Sequence, residues 1–327
     1  MTSATPSATP RPPQWSKGIF RNKGKMIEYR DNLFVSADGS LAGHWRDHIA
    51  DFGADANDNA IDWYASVGGT NFQERMEIPF TMSSLDTPVY RACLEELRPA
   101  DPDALIVDVG GGDGRNTLPW LEMGYQRIIC VDPIRQSLIR LRDRLDRNHP
   151  GWQERVLLMV ADARHLPLRD GCADLVLAIE TLCYLNRDFR QGVAECARTL
   201  TQGGRFLWID RAWEGALFVR LLYEGLPAML DMLDRSVMKD GPPDQLVESR
   251  VFTLEEMTRT LEEAGLDARP IGGASILPVL MGAMRSATQG QSFDVSLQEP
   301  TRQLMLRLWK EGHAKRTLAV YGSKALA

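Results

Sequence analysis

One stretch limits this chain more than any other: Ala104-Leu105-Ile106 leads into Val107-Asp108-Val109-Gly110-Gly111-Gly112-Asp113-Gly114-Arg115-Asn116-Thr117. The apolar run predicts a buried strand, and the glycines predict a tight turn that opens a helix. Such a turn brings bare backbone N–H groups and the positive end of a helix up to a nucleotide-like ligand. The spacing argues against one familiar reading. A dinucleotide fingerprint requires glycine or alanine where this sequence has Arg115.

Three further segments follow in order. Arg127-Ile128-Ile129-Cys130-Val131-Asp132 predicts a second parallel strand ending in an acid, 22 residues beyond Gly110. A carboxylate there can receive both hydroxyls of a ribose. Val156 to Asp162 and Ala163 predict a third strand ending in Asp-Ala, followed by Leu166-Pro167-Leu168, a turn at Asp170-Gly171 and an apolar strand ending near Glu180. Arg198 to Asp210 holds a helix end, a double glycine at 203 and 204, and a fifth strand. With the Asp-x-Gly-x-Gly-x-Gly turn, this series resembles the class I S-adenosylmethionine (AdoMet) dependent methyltransferases. The resemblance covers residues 85 to 327 and is firmest from about 104 to 210.

The resemblance implies an α/β fold: a doubly wound, mostly parallel, seven-stranded sheet, here with an N-terminal cap and helical insertions. It also implies AdoMet as cofactor. Asp108 and the loop of Gly110, Gly112 and Gly114 would hold the methionyl end, Asp132 would accept from the ribose hydroxyls, and Pro133 would flank them. Asp162 would receive the adenine amino group, Ala163 would lie against the ring, and Glu180 would sit near the sulfonium.

Methyl transfer is an in-line displacement with a good leaving group, so the protein mainly orients the partners and excludes water. A base is needed only where the acceptor loses a proton. Glu180, Tyr184, His165 and Asp210 are the candidates, with Arg211 beside them, because each follows the carboxyl end of a predicted strand. All but Glu180 also have a plainer reading: a surface histidine at 165, a packing tyrosine at 184, an Asp210–Arg211 pair. The same cofactor pocket would equally serve an enzyme that does not methylate, a lyase or cyclase releasing methylthioadenosine, or one transferring the aminocarboxypropyl group.

The net charge of −6 and the lack of a dense Lys/Arg cluster disfavour a nucleic-acid acceptor. A small molecule of secondary metabolism is the expected acceptor. The five cysteines are dispersed, with no Cys-x-x-Cys pair and no companion histidines, so a reduced, cytoplasmic protein without a metal site is expected. No run is long enough for a membrane span. Oligomeric state is not legible.

Along the chain, residues 1–15 read as a disordered leader and 16–84 as a cap or lid region, with a small hairpin within Lys25 to Gly43. Within it, His44 and His48 are spaced to share a helix face, and Asp62 to Arg75 sets aromatics beside Gly68-Gly69, as a lid over the cofactor would. Residues 85–327 form the Rossmann-like domain. Its first helix is expected to start at Thr87-Pro88, and Thr253-Leu-Glu-Glu256 is a capping box for a later one. Helical insertions are expected at about 212–250 and 273–312, roofing the acceptor.

Overall fold

The computed structural model describes residues 11–22, 24–54, 61, 82–223, 226–240, 247–276 and 315–326. The expected leader and lid fall largely outside these residues, as does most of the second insertion. Inside the leader's expected range, Gln14–Ser16 makes a turn of 3-10 helix, and the Trp15 indole N–H donates to the Glu154 carbonyl at 2.8 Å.

Residues 21–51 form five strands: β1 (Arg21–Asn22), β2 (Lys25–Arg30), β3 (Leu33–Ser36), β4 (Leu41–Arg46) and β5 (Ile49–Asp51). The expected hairpin is real, but it is one turn of a longer antiparallel meander. Two of its turns are set by pairs with positive φ, Asp31-Asn32 (48° and 65°) and Asp47-His48 (54° and 62°), the signature of type I′ hairpin turns. His44 lies in a strand and His48 in a turn, so they share no helix face.

Helix α1 (Met82–Leu97) precedes the glycine-turn strand β6 (Leu105–Val109), α2 (Thr117–Glu122), β7 (Arg127–Asp132), α3 (Arg135–Asn148) and β8 (Val156–Val160). Then come β9 (Ala173–Ile179), α4 (Phe189–Thr199), β10 (Leu200–Arg211), α5 (Trp213–Tyr223), α6 (Leu226–Arg235), β11 (Val237–Asp240), β12 (Val247–Arg250), α7 (Leu254–Glu263), β13 (Leu266–Gly272) and β14 (Thr317–Lys324).

Among the described residues one sheet holds twelve strands, in the order β1-β2-β3-β4-β5-β8-β7-β6-β9-β10-β14-β13. The last seven are the expected sheet, parallel except for β14, which runs antiparallel to both neighbours. The other five extend it: β5 pairs in parallel with β8, Ile49 opposite Leu158. Every residue of β6 and β8 is buried, because helices cover both faces. Ile106, Ile128, Cys130 and Leu158 pack on α1–α3, while Val107, Ile129, Val131 and Met159 pack with α4 and α7. This two-residue alternation is what a strand imposes, and it leaves the carboxyl ends as the open edge for a ligand.

Two helix starts differ from expectation. Helix α1 begins at Met82, which puts Pro88 inside it, and the Thr87 hydroxyl accepts from Arg115 Nε (2.9 Å) instead of capping the helix. Helix α2 begins only at Thr117, after a turn. The capping box at Thr253 is present: its hydroxyl accepts from Glu256 N–H at 3.1 Å. The first insertion contains α5 and α6 and then the hairpin β11–β12, whose strands were not expected.

Candidate cofactor and acceptor site

The glycine turn is fastened to β7. Gly110 and Gly111 N–H both donate to the Val131 carbonyl, at 2.7 and 3.1 Å. Gly110 has φ +74°, and a Cβ there would sit 2.2 Å from Thr181 Oγ1, so neither its conformation nor its surroundings admit a side chain. Gly112, at φ +56°, differs: a Cβ would meet only Asp132 Oδ2, at 3.9 Å. The turn is therefore closed against β9 at Gly110 and open beside Asp132 at Gly112.

Asp132 accepts one backbone N–H at each carboxylate oxygen, Gly112 on Oδ2 (2.9 Å) and Ile134 on Oδ1 (2.8 Å). A carboxylate has about four lone-pair positions, so two remain for donors such as ribose hydroxyls. Burial pushes its pKa up to about 6, against the two backbone bonds that favour the charged form. Pro133 is half-buried beside it. Asp108 lies beneath the turn, fully buried, with Oδ2 accepting from the Thr117 hydroxyl (2.6 Å) and Oδ1 unpartnered. Burial raises its pKa to about 7. It supports the turn from below, tying it to the start of α2.

Asp162, at the end of β8, is engaged differently. Its carboxylate accepts the backbone N–H of Arg164 (2.8 Å), Arg164 Nε at both oxygens (3.0 Å each) and Nη2 (2.5 Å). Burial alone would raise its pKa, but these bonds outweigh it and the carboxyl titrates below its ordinary value. Ala163 is buried beside it. Asp162, Arg164, His165, Asp188 and Gln191 line a cavity of about 480 Å³ together with Ala42 of β4 and Phe52, which follows β5.

Glu180 closes β9 with φ +51° and bridges two arginines, Arg115 Nη1 on Oε2 (3.1 Å) and Arg316 on Oε1 (3.2 Å). Arg316 also pairs with buried Asp86, and Arg115 stacks over Tyr90 at 4.8 Å. The Tyr184 hydroxyl accepts from Arg211 Nη2 (2.6 Å), and that guanidinium also donates to Ser249 Oγ (3.0 Å) on β12.

The base candidates thus separate. His165 is exposed against Gln191 in the loop after β8, with β7 and β6 lying between that strand and β9, whose end carries Glu180 and Tyr184. Asp210 accepts the Arg211 backbone N–H on Oδ1 (3.2 Å). It faces the core, fully buried, and accepts from the Cys183 N–H (2.9 Å) and the Trp208 indole (3.2 Å), which fixes the loop after β9. Arg164 and Arg316 were not foreseen as site residues. Arg164 was visible beside Asp162, but nothing in the sequence says which way a guanidinium turns; Arg316 lies 136 positions from its partner.

Among the described residues no group of three or more His, Cys, Asp or Glu could hold a metal ion, and no helix is long and apolar enough to cross a membrane. All five cysteines are buried, and none is in a disulfide.

A family profile described as a methyltransferase domain matches residues 107–208. The chain is 34% identical over 163 residues to the malonyl-[acyl-carrier protein] O-methyltransferase of Geobacter sulfurreducens, covering 50% of this chain and 55% of that one. It is 32% identical over 125 residues to the ubiquinone/menaquinone biosynthesis C-methyltransferase UbiE of Acidiphilium cryptum, covering 38% and 48%. The chain spans about half the length of these curated relatives. A crystal structure from Listeria monocytogenes, described as an S-adenosylmethionine-dependent methyltransferase, superposes with a TM-score of 0.52 at 13% identity, over 74% of this chain and 99% of that one, and speaks for the fold.

Proposed function

We propose that this chain, which carries a class I AdoMet-dependent methyltransferase domain over residues 107–208, transfers the methyl group of AdoMet to a small-molecule acceptor. One arrangement carries the reading: a glycine turn open at Gly112 beside a buried Asp132 with two acceptor positions to spare. That pairing suits a nucleoside whose ribose meets the acid and whose tail crosses the turn. When bound, AdoMet supplies a methyl group on a sulfonium, ready for displacement.

The chain's own residues would orient and shield. Asp132 takes the ribose hydroxyls, Pro133 flanks them, Asp162 and Ala163 meet the adenine, and Gly110, Gly112 and Gly114 with Asp108 beneath shape the turn for the tail. Glu180 is a positioning residue in this scheme, because both its oxygens are occupied in aiming Arg115 and Arg316. The acceptor would lie over the ends of β9 and β10, where Arg211 and Tyr184 form a hydrogen-bonded pair under the first insertion. Tyr184 is the one base candidate left beside that position. The relatives named for malonyl-[acyl-carrier protein] and for quinone biosynthesis support an acceptor from small-molecule biosynthesis, and secondary metabolism is the setting proposed.

Mass spectrometry of the full chain incubated with methyl-deuterated AdoMet and pooled small-molecule acceptors tests this. The expected products are a deuteromethylated acceptor and S-adenosylhomocysteine (AdoHcy) in equal amounts. Release of methylthioadenosine in their place would overturn methyl transfer.

A further inference from the structure

We infer that Arg164 sets the affinity of this site by competing with the adenine amino group for Asp162. This rests on the proposed reading of Asp162 as the adenine acceptor. A carboxylate offers about four lone-pair positions. In Asp162 three N–H groups of one residue crowd both oxygens: Oδ1 takes the Arg164 backbone N–H, Oδ2 takes Nη2, and the single Nε–H is shared between the two. Asp132, one strand over, has two positions left. An adenine N–H meets a carboxylate already spanned by the guanidinium, and makes its full bond where a guanidinium bond gives way.

The surroundings provide for that exchange. Arg164 Nη1 already lies 3.3 Å from Asp188 Oδ2, so the side chain has a second carboxylate to turn towards. Asp188 is 55% exposed and has no helix-capping bond to give up. The cavity of about 480 Å³ borders Asp162, Arg164 and Asp188 together, and so leaves room for the guanidinium to move. Ala42 and Phe52, in and just after the meander that extends the sheet past β8, also line it. Arg164 is therefore a positioning residue: it tunes a ligand contact through Asp162 without itself making the contact.

The test compares two ligands by calorimetry on the full chain: AdoHcy and its inosine counterpart, in which a carbonyl replaces the adenine amino group. Removing the competitor in Arg164→Met should tighten AdoHcy about 3- to 10-fold, the worth of one regained hydrogen bond, and leave the inosine ligand within about 2-fold. Asp188→Asn, which removes the second carboxylate, should loosen AdoHcy about 2- to 4-fold, as for an exposed ion pair. Weaker AdoHcy binding by Arg164→Met, or an equal shift for both ligands, overturns the inference, and so does Asp188→Asn with unchanged affinity. Should Arg164→Met unfold, Arg164→Lys, which keeps the charge but not the two-oxygen clasp, takes its place with the same expected direction. Failure of the unaltered protein to bind either ligand would sink the proposed function instead, which keeps the two outcomes apart.

Discussion

Asp132 and Asp162 stand at the carboxyl ends of adjacent parallel strands, and the chain treats them in opposite ways. The first is held by two backbone N–H groups and kept open; the second is clasped by the arginine two residues on. Backbone donors cannot swing away, so Asp132 is presented in one fixed orientation. A side-chain donor can leave, so Asp162 is fully available only on exchange. An acid at a strand end is thus not one kind of site, and what decides is the source of its hydrogen bonds.

The turn that both corners share should be the most sensitive point. Gly110→Ala places a methyl group 2.2 Å from Thr181 Oγ1 at φ +74°, and should lower unfolding stability by about 2–4 kcal/mol. At Gly112, where the space is open, alanine should cost only about 1–2 kcal/mol for its left-handed backbone. Urea titrations of both variants would show whether closure at Gly110 is as firm as the geometry says.

Between the two acids, Asp132→Ala should weaken AdoHcy about 10- to 100-fold, the loss of hydrogen bonds to a charged group, against about 2- to 5-fold for Asp162→Ala, whose partner is largely Arg164. Equal losses would erase the distinction.

Acidity gives a third contrast, smaller and with two signs. The pKa of Asp132 is raised from 3.8 to about 6 by burial. Between those values the folded chain holds a proton that the unfolded chain lacks, so this group's contribution to stability grows as pH falls through 6 towards 4 and shrinks as pH rises. Ribose hydroxyls need the charged form, so AdoHcy affinity should fall over the same interval, by at most about 10-fold per pH unit. Denaturation and calorimetry in parallel should move in opposite directions; parallel movement contradicts the assignment. Finally, Tyr184→Phe removes the 2.6 Å bond to Arg211 on the acceptor side, and should lower kcat/KM about 3- to 10-fold with AdoHcy affinity unchanged.

The parallel core could be read from the sequence because burial on both faces demands unbroken apolar runs, and Leu105–Val109, Arg127–Asp132 and Val156–Val160 carry them. The meander was harder to read: its strands are short and half-exposed, and two of its turns rest on Asp31-Asn32 and Asp47-His48 without a glycine. The site residues divide in the same way. The turn glycines and Asp132 follow from spacing along one strand–turn unit. Arg164's clasp on Asp162 and Arg316's bond to Glu180 depend on rotamers and on a segment more than a hundred residues away, which no local pattern encodes.

The central claim is that Gly112 and Asp132 hold one end of a nucleoside whose tail crosses the turn. A crystal structure of the full chain with AdoHcy tests it most directly. The expected result has both ribose hydroxyls within hydrogen-bond distance of the Asp132 carboxylate and the homocysteine tail over residues 110–114. A nucleoside bound elsewhere, or an Asp132 carboxylate still held only by Gly112 and Ile134, would contradict it.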